Sequence, residues 1–169
     1  YRTKDHLFNA VFEMIARKML KKFSPVFDPN LSLEDKIRFF FREHITFLHE
    51  NPRVPAFILN EINRNPALIK ALLNNIDINN VWKQISDQHS QELKDYNITE
   101  ADIPQLMTSI ASLSVFPFAA KSIIEPVLEK GGVDFKTYIE ERKTFAAEFV
   151  ISYLRNHSAS GTDSKVKTR

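Results

Sequence analysis

Apolar residues recur every three or four positions along most of this chain, which is the spacing of one face of an α-helix. The first such stripe consists of Phe8, Phe12, Ile15, Met19 and Phe23. Thr3 is a suitable N-cap for it, and Asp5 lies in the first turn, where a helix favours an anion. The pattern predicts a helix that starts near Thr3 and ends in the proline-containing segment 24–30.

The next segment predicts a helix at the centre of the fold. Ser32 opens the sequence SLED, in which its hydroxyl can accept a backbone N–H and Asp35 can reach back, as in a capping box. Three consecutive phenylalanines, residues 39–41, then cover about 200° of the helix circumference. A helix with apolar residues over so much of its surface must be covered on more than one side.

Further helices follow in the middle of the chain. The segments 51–64 and 65–75 each open with Asn-Pro, and proline is well tolerated in a first helical turn. A longer helix is predicted over residues 79–95. Thr99, in the sequence TEAD, has the pattern of a second capping box and is expected to start an uncharged helix that Pro117 kinks or breaks.

The sequence EKGG at residues 129–132 is a strong helix stop, and a last helix is expected to start near Asp134 and to end near Asn156. Residues 157–169 have no apolar pattern and are predicted to form a disordered tail. Together the segments predict an all-α fold: a single bundle of about seven or eight helices.

Composition agrees with this fold class and limits the function. A length of 169 residues suits one domain with its own core. The chain has 3 Gly against 14 Phe and no Asn-Gly or Asp-Gly pair, which disfavours β-hairpins. A formal net charge of +2 is too small to indicate a nucleic-acid partner for the whole chain. The lack of cysteine excludes disulfides and thiolate metal sites.

The uncharged segment 103–120 approaches the length of a membrane span. Prolines and hydroxyl-bearing residues interrupt it repeatedly, so a buried or subunit-facing pair of helices is the better interpretation. We therefore expect no membrane partner.

The residues do not form a recognisable catalytic motif. His44 and His49 are five positions apart, which does not place them together on a helix for metal binding, and HENPR lacks the second histidine of the helical zinc motif. No glycine-rich phosphate loop is present, and no serine or threonine lies in a nucleophile elbow. We expect no enzyme activity, no metal and no cofactor.

The opening sequence YRTKDHLFNAVFE resembles the segment of TetR-family transcription regulators that joins the helix-turn-helix to the long connecting helix. The residues that carry the resemblance are Tyr1, Arg2, Thr3, Lys4, Asp5, Leu7 and Phe8. It implies that residues 1–4 are the end of a helix-turn-helix that precedes them, that Thr3 caps the connecting helix, and that Lys4 contacts DNA phosphate.

Two later segments extend the resemblance to about Leu154. LHENPRVPAFILNEINRNPALI looks like the middle section of the family, and SLSVFPFAAKSIIEPVL is similar to its penultimate helical region. The resemblance implies that residues 5–156 are a ligand-binding and dimerisation domain. It also implies a cytoplasmic, homodimeric repressor that binds operator DNA through the preceding domain.

Family members pair through their last two large helices, which correspond here to residues 99–128 and 134–154. The sequence gives independent support, because small residues in both segments permit close helix approach: Ser109, Ala111, Ser112, Ala119, Ala120, Ala146 and Ala147. The expected apolar anchors of the dimer interface are Ile110, Phe116, Phe118, Phe145 and Phe149. The alternative is that these residues are all intrachain core.

The aromatic residues of the first half either fill a thick core or line a cavity. From their pattern, and not from the family, we expect an effector pocket lined by Phe12, Ile15, Phe40, His44, Phe47, Trp82 and Met107. Such a pocket suits a small, mostly apolar effector with one polar group near His44.

Other interpretations stay open. The chain could be a helical dimeric module that binds a protein or a lipid and has no DNA-binding role. An enzyme built on a helical bundle and a membrane-embedded protein are further alternatives, which the missing polar cluster and the interrupted uncharged run disfavour.

Overall fold

A computed structural model describes residues 10, 13–15, 17, 18, 21–64 and 78–163 of the chain. Within these ranges it leaves out the side chains of residues 61, 62, 78, 79, 81, 82 and 158–163. The predictions for residues 1–8 and for the helix over 65–75 therefore lie outside the described residues.

The all-α class is confirmed, and the described residues contain no β-strand. The described positions between 10 and 23 are helical, and a 3₁₀-helix, Ser24–Phe27, follows them. Seven α-helices come next: α1 Leu33–Glu50, α2 Arg53–Arg64, α3 Ile78–Gln88, α4 Ser90–Asp95, α5 Ile103–Ala119, α6 Lys121–Lys130 and α7 Phe135–Asp163.

Helix α1 begins as its sequence predicts. Ser32 is the N-cap: its Oγ accepts the backbone N–H of Asp35 at 3.1 Å, and its hydroxyl donates to Oδ2 of Asp35 at 2.7 Å. Glu34 and Asp35 place negative charge in the first turn, where the helix dipole favours it. The cap sets the point at which the phenylalanine-rich segment enters the core.

Helix α1 lies against both α5 and α7, as its wide apolar surface predicts. Phe41 and Ile45 of α1 are completely buried, and so are Ile139 and Ile151 of α7. Fully burying a side chain of this size stabilises the fold by about 2 kcal/mol. The α1–α7 contact is therefore a major part of the core.

Polar side chains also join α1 to the end of the bundle. Arg155 of α7 donates to both carboxylate oxygens of Glu34, at 2.7 and 2.6 Å, and the hydroxyl of Tyr96 donates to the same carboxylate at 2.9 Å. These hydrogen bonds hold the pKa of Glu34 below its usual value, with Arg155 as the largest cause. Arg38 extends the network to Glu148 at 2.7 Å.

The predicted break occurs, but not at Pro117: this residue lies inside α5, which continues for two more residues to Ala119. Helices α5 and α6 then meet at an angle of 76°. Among the described helices, no single one is both long and apolar enough to cross a membrane. The bent pair of α5 and α6 together has a length and composition that would suffice.

The stop between α6 and α7 is confirmed. Gly132 has φ of 73°, the left-handed conformation that favours glycine at a helix end. Asp134 then caps α7, because its Oδ1 accepts the backbone N–H of Thr137 at 3.0 Å. The two helices are thereby joined by a short, well-defined turn.

Two predicted boundaries are wrong. The helix expected over 79–95 is interrupted at buried His89, where α3 ends and α4 begins. Thr99 does not start a helix: its N–H and hydroxyl donate to Oδ2 of Asp102, at 2.8 and 2.7 Å, and α5 starts at Ile103. The reason is that Pro104 suits the first turn of α5, so the Thr99 motif closes a turn before it.

The predicted tail is also different. Helix α7 continues past Asn156 as far as Asp163, so residues 157–163 are helical rather than disordered. Nδ1 of His157 lies 3.1 Å from the carbonyl oxygen of Tyr96, which attaches this part of α7 to the end of α4. A contact with another element thus extends a helix that has no apolar pattern of its own.

Candidate functional site

A cavity of about 450 Å³ lies between Ile15 and helices α1, α2 and α5. Ile15 belongs to the described helical positions between 10 and 23, here called the N-terminal helical segment. Its volume is within the range of about 300–1,000 Å³ that is typical of small-molecule sites. Its walls are mostly apolar. The described lining residues are Ile15, His44, Phe47, Leu48, Val54, Pro55, Ile58, Leu59, Ala111, Ser112, Val115, Phe116 and Ala119.

The cavity follows from the size of the side chains on α5. Ala111, Val115 and Ala119 are four positions apart and therefore share one face of the helix. The facing side chain of Phe47 on α1 is large and almost completely buried. The short side chains of Ala111 and Ala119 leave space beside α5 that the core does not fill.

His44 and Ser114 form the polar contact beside this cavity. Nδ1 of His44 lies 3.0 Å from Oγ of Ser114, which is completely buried in α5. The rings of Phe40 and Phe23 pack on His44 with centroid distances of 5.0 and 6.0 Å. Burial lowers the pKa of His44 to about 4, so the imidazole is neutral at neutral pH.

Three of the predicted pocket residues come together here. Ile15, His44 and Phe47 line the cavity, although they come from segments separated in the sequence. Phe40 is not in the lining; it packs behind His44, against Phe23 at a centroid distance of 5.4 Å.

The other predicted pocket residues are elsewhere or outside the described residues. Met107 is 40% exposed and does not line the cavity. Phe12 and the side chain of Trp82 lie outside the described residues.

The sequence analysis missed the wall that α2 contributes. Val54 and Ile58 are four positions apart, as are Pro55 and Leu59, so the two pairs form one broad apolar face. This four-residue spacing was the feature of the sequence that could have identified α2 as a cavity wall. Nothing in the sequence, however, shows that the face meets α5 across an open space.

The residues predicted for a dimer interface fall into two groups. Phe116, Phe145 and Phe149 are 60%, 58% and 57% exposed, so their side chains are available to a partner. Phe118 is only 4% exposed and packs edge-on against Phe135, while Ile110 is partly buried against the core. For Phe118 the intrachain alternative is therefore the correct one.

Part of the small-residue pattern also has an intrachain role. Ala146 and Ala147 are buried in the core, and Ala111, Ser112 and Ala119 line the cavity. Ala111 and Ser112 are nevertheless exposed, so only Ala146 and Ala147 have a core role.

The exposed aromatic surface of α7 consists of Phe145, Phe149 and Tyr153, which recur at helical spacing. The rings of Phe145 and Phe149 stack with a centroid distance of 6.2 Å. The guanidinium of Arg142 lies 5.5 Å from the Phe145 ring and donates to the carbonyl oxygen of Leu113 on α5 at 3.2 Å. The surface is therefore held in a fixed position relative to α5.

No group of acidic or histidine side chains suited to a metal ion occurs among the residues that the structure describes. Lys4, the expected phosphate contact, lies outside them.

A second polar cluster, which includes buried Lys36 and His89, joins α1 to the end of α3 and to α4. Nζ of Lys36 donates to Gln88 at 2.8 Å, and burial lowers the pKa of Lys36. Glu92 is 2.6 Å from Nδ1 of His89 and accepts the backbone N–H of Leu33 at 2.9 Å. These contacts hold the start of α1 and have no connection with the cavity lining.

Comparisons of the chain with protein-family models, with curated proteins and with solved structures found no match. The cavity and the exposed aromatic surface therefore carry the functional interpretation.

Proposed function

We propose that this chain is the effector-binding and dimerisation part of a ligand-responsive transcriptional regulator, a repressor of the TetR type. The observation that carries the proposal is the apolar cavity, whose wall includes Ile15 from the N-terminal helical segment. That segment follows the residues that resemble the end of a helix-turn-helix. A ligand in the cavity would thus contact the element that leads to the DNA-binding domain.

The cavity also has a wall from α5, which links it to the proposed dimer surface. Phe116 of α5 lines the cavity and is largely exposed as well. A ligand between Ile15 and α5 can change the angle between the N-terminal segment and the dimer. The ligand shifts the ratio of two such arrangements only if it binds one of them more tightly. A difference of about 1.4 kcal/mol in binding free energy shifts that ratio tenfold.

The proposed homodimer explains the exposed apolar side chains of α7. Large apolar side chains that are grouped on one surface often mark an interface. Aromatic residues are enriched among those that contribute most to binding. We propose that Phe145, Phe149 and Tyr153 contact the same surface of a second copy, in the two-fold arrangement that is commonest for soluble dimers.

The test uses the polypeptide encoded by the complete reading frame and a variant that fills the cavity. Ala111→Phe puts bulk into the cavity wall, and Ser109→Phe adds the same side chain at an exposed position of α5 outside the lining. Genomic selection followed by footprinting identifies a bound DNA sequence. An extract of apolar metabolites is then tested for release of that DNA.

We expect the Ser109→Phe protein to bind the DNA and to release it with the extract. The Ala111→Phe protein should bind the DNA but need at least about tenfold more extract for release. Release of both variants at the same extract concentration would remove the cavity from the mechanism.

The second candidate, a helical dimeric lipid-binding or interaction module, shares the same cavity and the same aromatic surface. It differs in having no DNA-binding role. Apolar ligand binding by a protein that selects no DNA sequence would favour this candidate over the regulator.

A further inference from the structure

The Ser114 hydroxyl determines which nitrogen of His44 carries the proton. Its Oγ lies 3.0 Å from the carbonyl oxygen of Ile110 and 3.1 Å from that of Ala111. It also lies 3.0 Å from Nδ1 of His44. A hydroxyl has one proton to donate, and a carbonyl oxygen is purely an acceptor.

Two arrangements of that proton are conceivable. If the hydroxyl donated to His44, its oxygen would face two carbonyl oxygens at hydrogen-bond distance with no proton between them, which is repulsive. If it donates to the backbone of α5, its oxygen is free to accept from His44 Nδ1–H. The second arrangement satisfies the Ser114 hydroxyl and Nδ1 of His44 together, so Nδ1 carries the proton.

Nε2 of His44 is then an acceptor, and His44 lines the cavity. No described residue is a hydrogen-bond partner of this atom. Nε2 of His44 is not among the described side-chain atoms that are completely buried without a partner, and His44 is part of the cavity lining. We therefore take the cavity as the side from which a donor would reach Nε2.

The surroundings of Nε2 do not suit an ion. Among the described residues, the side chains in contact with the imidazole are Phe23, Phe40 and Ser114, none of which is charged. The described lining of the cavity contains no Asp, Glu, Lys or Arg. In this described lining a charged ligand group would lose hydration without an opposite charge beside it; Nζ of Lys18, 5.9 Å from the centroid of the Phe47 ring, lies outside the lining.

From this geometry we infer that the cavity selects neutral, apolar ligands that carry a hydrogen-bond donor, such as a phenol or an alcohol, and that Nε2 of His44 accepts from that donor. The inference rests on the proposed function, because it names the ligand class of the same cavity. A ligand with the same shape but with an ether in place of the hydroxyl leaves Nε2 without a partner.

The test compares matched pairs of probes by calorimetry at pH 7.5. The pairs are 2-naphthol with 2-methoxynaphthalene, and 4-phenylphenol with 4-methoxybiphenyl; 2-naphthoate is the charged comparison. We expect each phenol to bind at least about tenfold more tightly than its methyl ether, the effect of about 1.4 kcal/mol for one hydrogen bond. 2-Naphthoate should bind more weakly than 2-naphthol.

Two variants locate the effect. His44→Phe should bind each phenol and its ether about equally, because it keeps an aromatic side chain but removes the acceptor. His49→Phe, at a position outside the cavity lining, should retain the full preference. A preference that survives in His44→Phe would overturn the inference, as would equal binding of each pair by the original chain.

Failure of the proposed function gives a different result. If none of the five probes binds the original chain, the cavity is not a ligand site, and both proposals fall together. If phenols and ethers bind equally well and Ala111→Phe blocks both, the cavity binds ligands and the donor requirement alone is wrong.

The tautomer can be measured without any variant. Nitrogen-15 NMR of the chain distinguishes a protonated Nδ1 from a protonated Nε2 through their chemical shifts and their couplings to the ring protons. We expect Nδ1–H for His44 at pH 7.5. A protonated Nε2 would make His44 a donor and would overturn the inference even if the phenols bind.

Discussion

His44 makes the stability of the fold depend on pH. Burial lowers its pKa from 6.5 to about 4, so between these values the unfolded chain binds a proton that the folded chain does not. The stability contribution is fully present above pH 6.5 and is lost as the pH falls towards 4. Over this interval we expect a loss of up to about 3 kcal/mol in the free energy of unfolding.

Urea unfolding of the original chain and of His44→Gln at several pH values checks this. Glutamine does not titrate, so the slope of stability against pH between 6.5 and 4 should be smaller in the variant. Equal slopes would show that other groups cause the pH dependence.

At the scale of single residues, the sequence predicted the position of His44 better than the contact that orients it. A histidine among the phenylalanines of α1 indicated a polar group beside an apolar pocket, and His44 lines the cavity. Its partner, Ser114, is 70 positions away along the chain. The sequence shows that both residues lie on helices, but not that these faces meet, so the tautomer could not be predicted.

At the scale of helices, the network around Glu34 should contribute measurably to stability. The Glu34 carboxylate accepts hydrogen bonds from Arg155, Arg38 and Tyr96, and Glu34→Gln removes its negative charge. Hydrogen bonds between ionised partners are about twice as strong as neutral ones. We expect a loss of about 1–2 kcal/mol in the free energy of unfolding, measured by urea denaturation at pH 7.

Glu140→Gln is the matched control. Glu140 contacts Lys143 within α7 at 2.6 Å, and its side chain is about half exposed. Exposed pairs of this kind contribute about 0–1 kcal/mol. If Glu140→Gln destabilised the chain as much as Glu34→Gln, the α1–α7 network would have no special role.

The helices themselves were predictable where the signal is local. Ser32, Gly132 and Asp134 mark helix ends through contacts with residues two to four positions away, and the structure confirms all three. The predicted helix start at Thr99 and the predicted helix end before His157 were wrong because the signal there is not local. Pro104 decides where α5 starts, and a contact with Tyr96 supports the end of α7, so competing or distant residues determine the outcome.

At the scale of the whole molecule, the sequence indicated a bundle but not the space inside it. The sequence predicted Phe47 to line a pocket and Ala111 to permit close helix packing. That they face one cavity depends on how α1, α2 and α5 are arranged. Such an arrangement follows from the packing of the complete chain, which periodicity does not encode.

The aromatic surface of α7 carries the prediction for the assembly. We expect the original chain to be a dimer in sedimentation equilibrium at micromolar concentration. Phe149→Glu places a charge in the centre of the proposed interface and should weaken dimerisation by at least about tenfold. Because Phe149 is largely exposed within one chain, the folded monomer should tolerate the change, which circular dichroism can verify.

Lys136→Glu is the control for charge on the same helix. Residues 136 and 145 are nine positions apart, about half a turn out of phase, so Lys136 lies on the side of α7 opposite to Phe145. It is exposed, and its variant should dimerise like the original chain. A monomeric original chain, or a Phe149→Glu dimer of undiminished stability, would mean that this surface does not pair two copies. Without a second copy in contact with α5 and α7, a ligand in the cavity could not change the spacing between two DNA-binding domains.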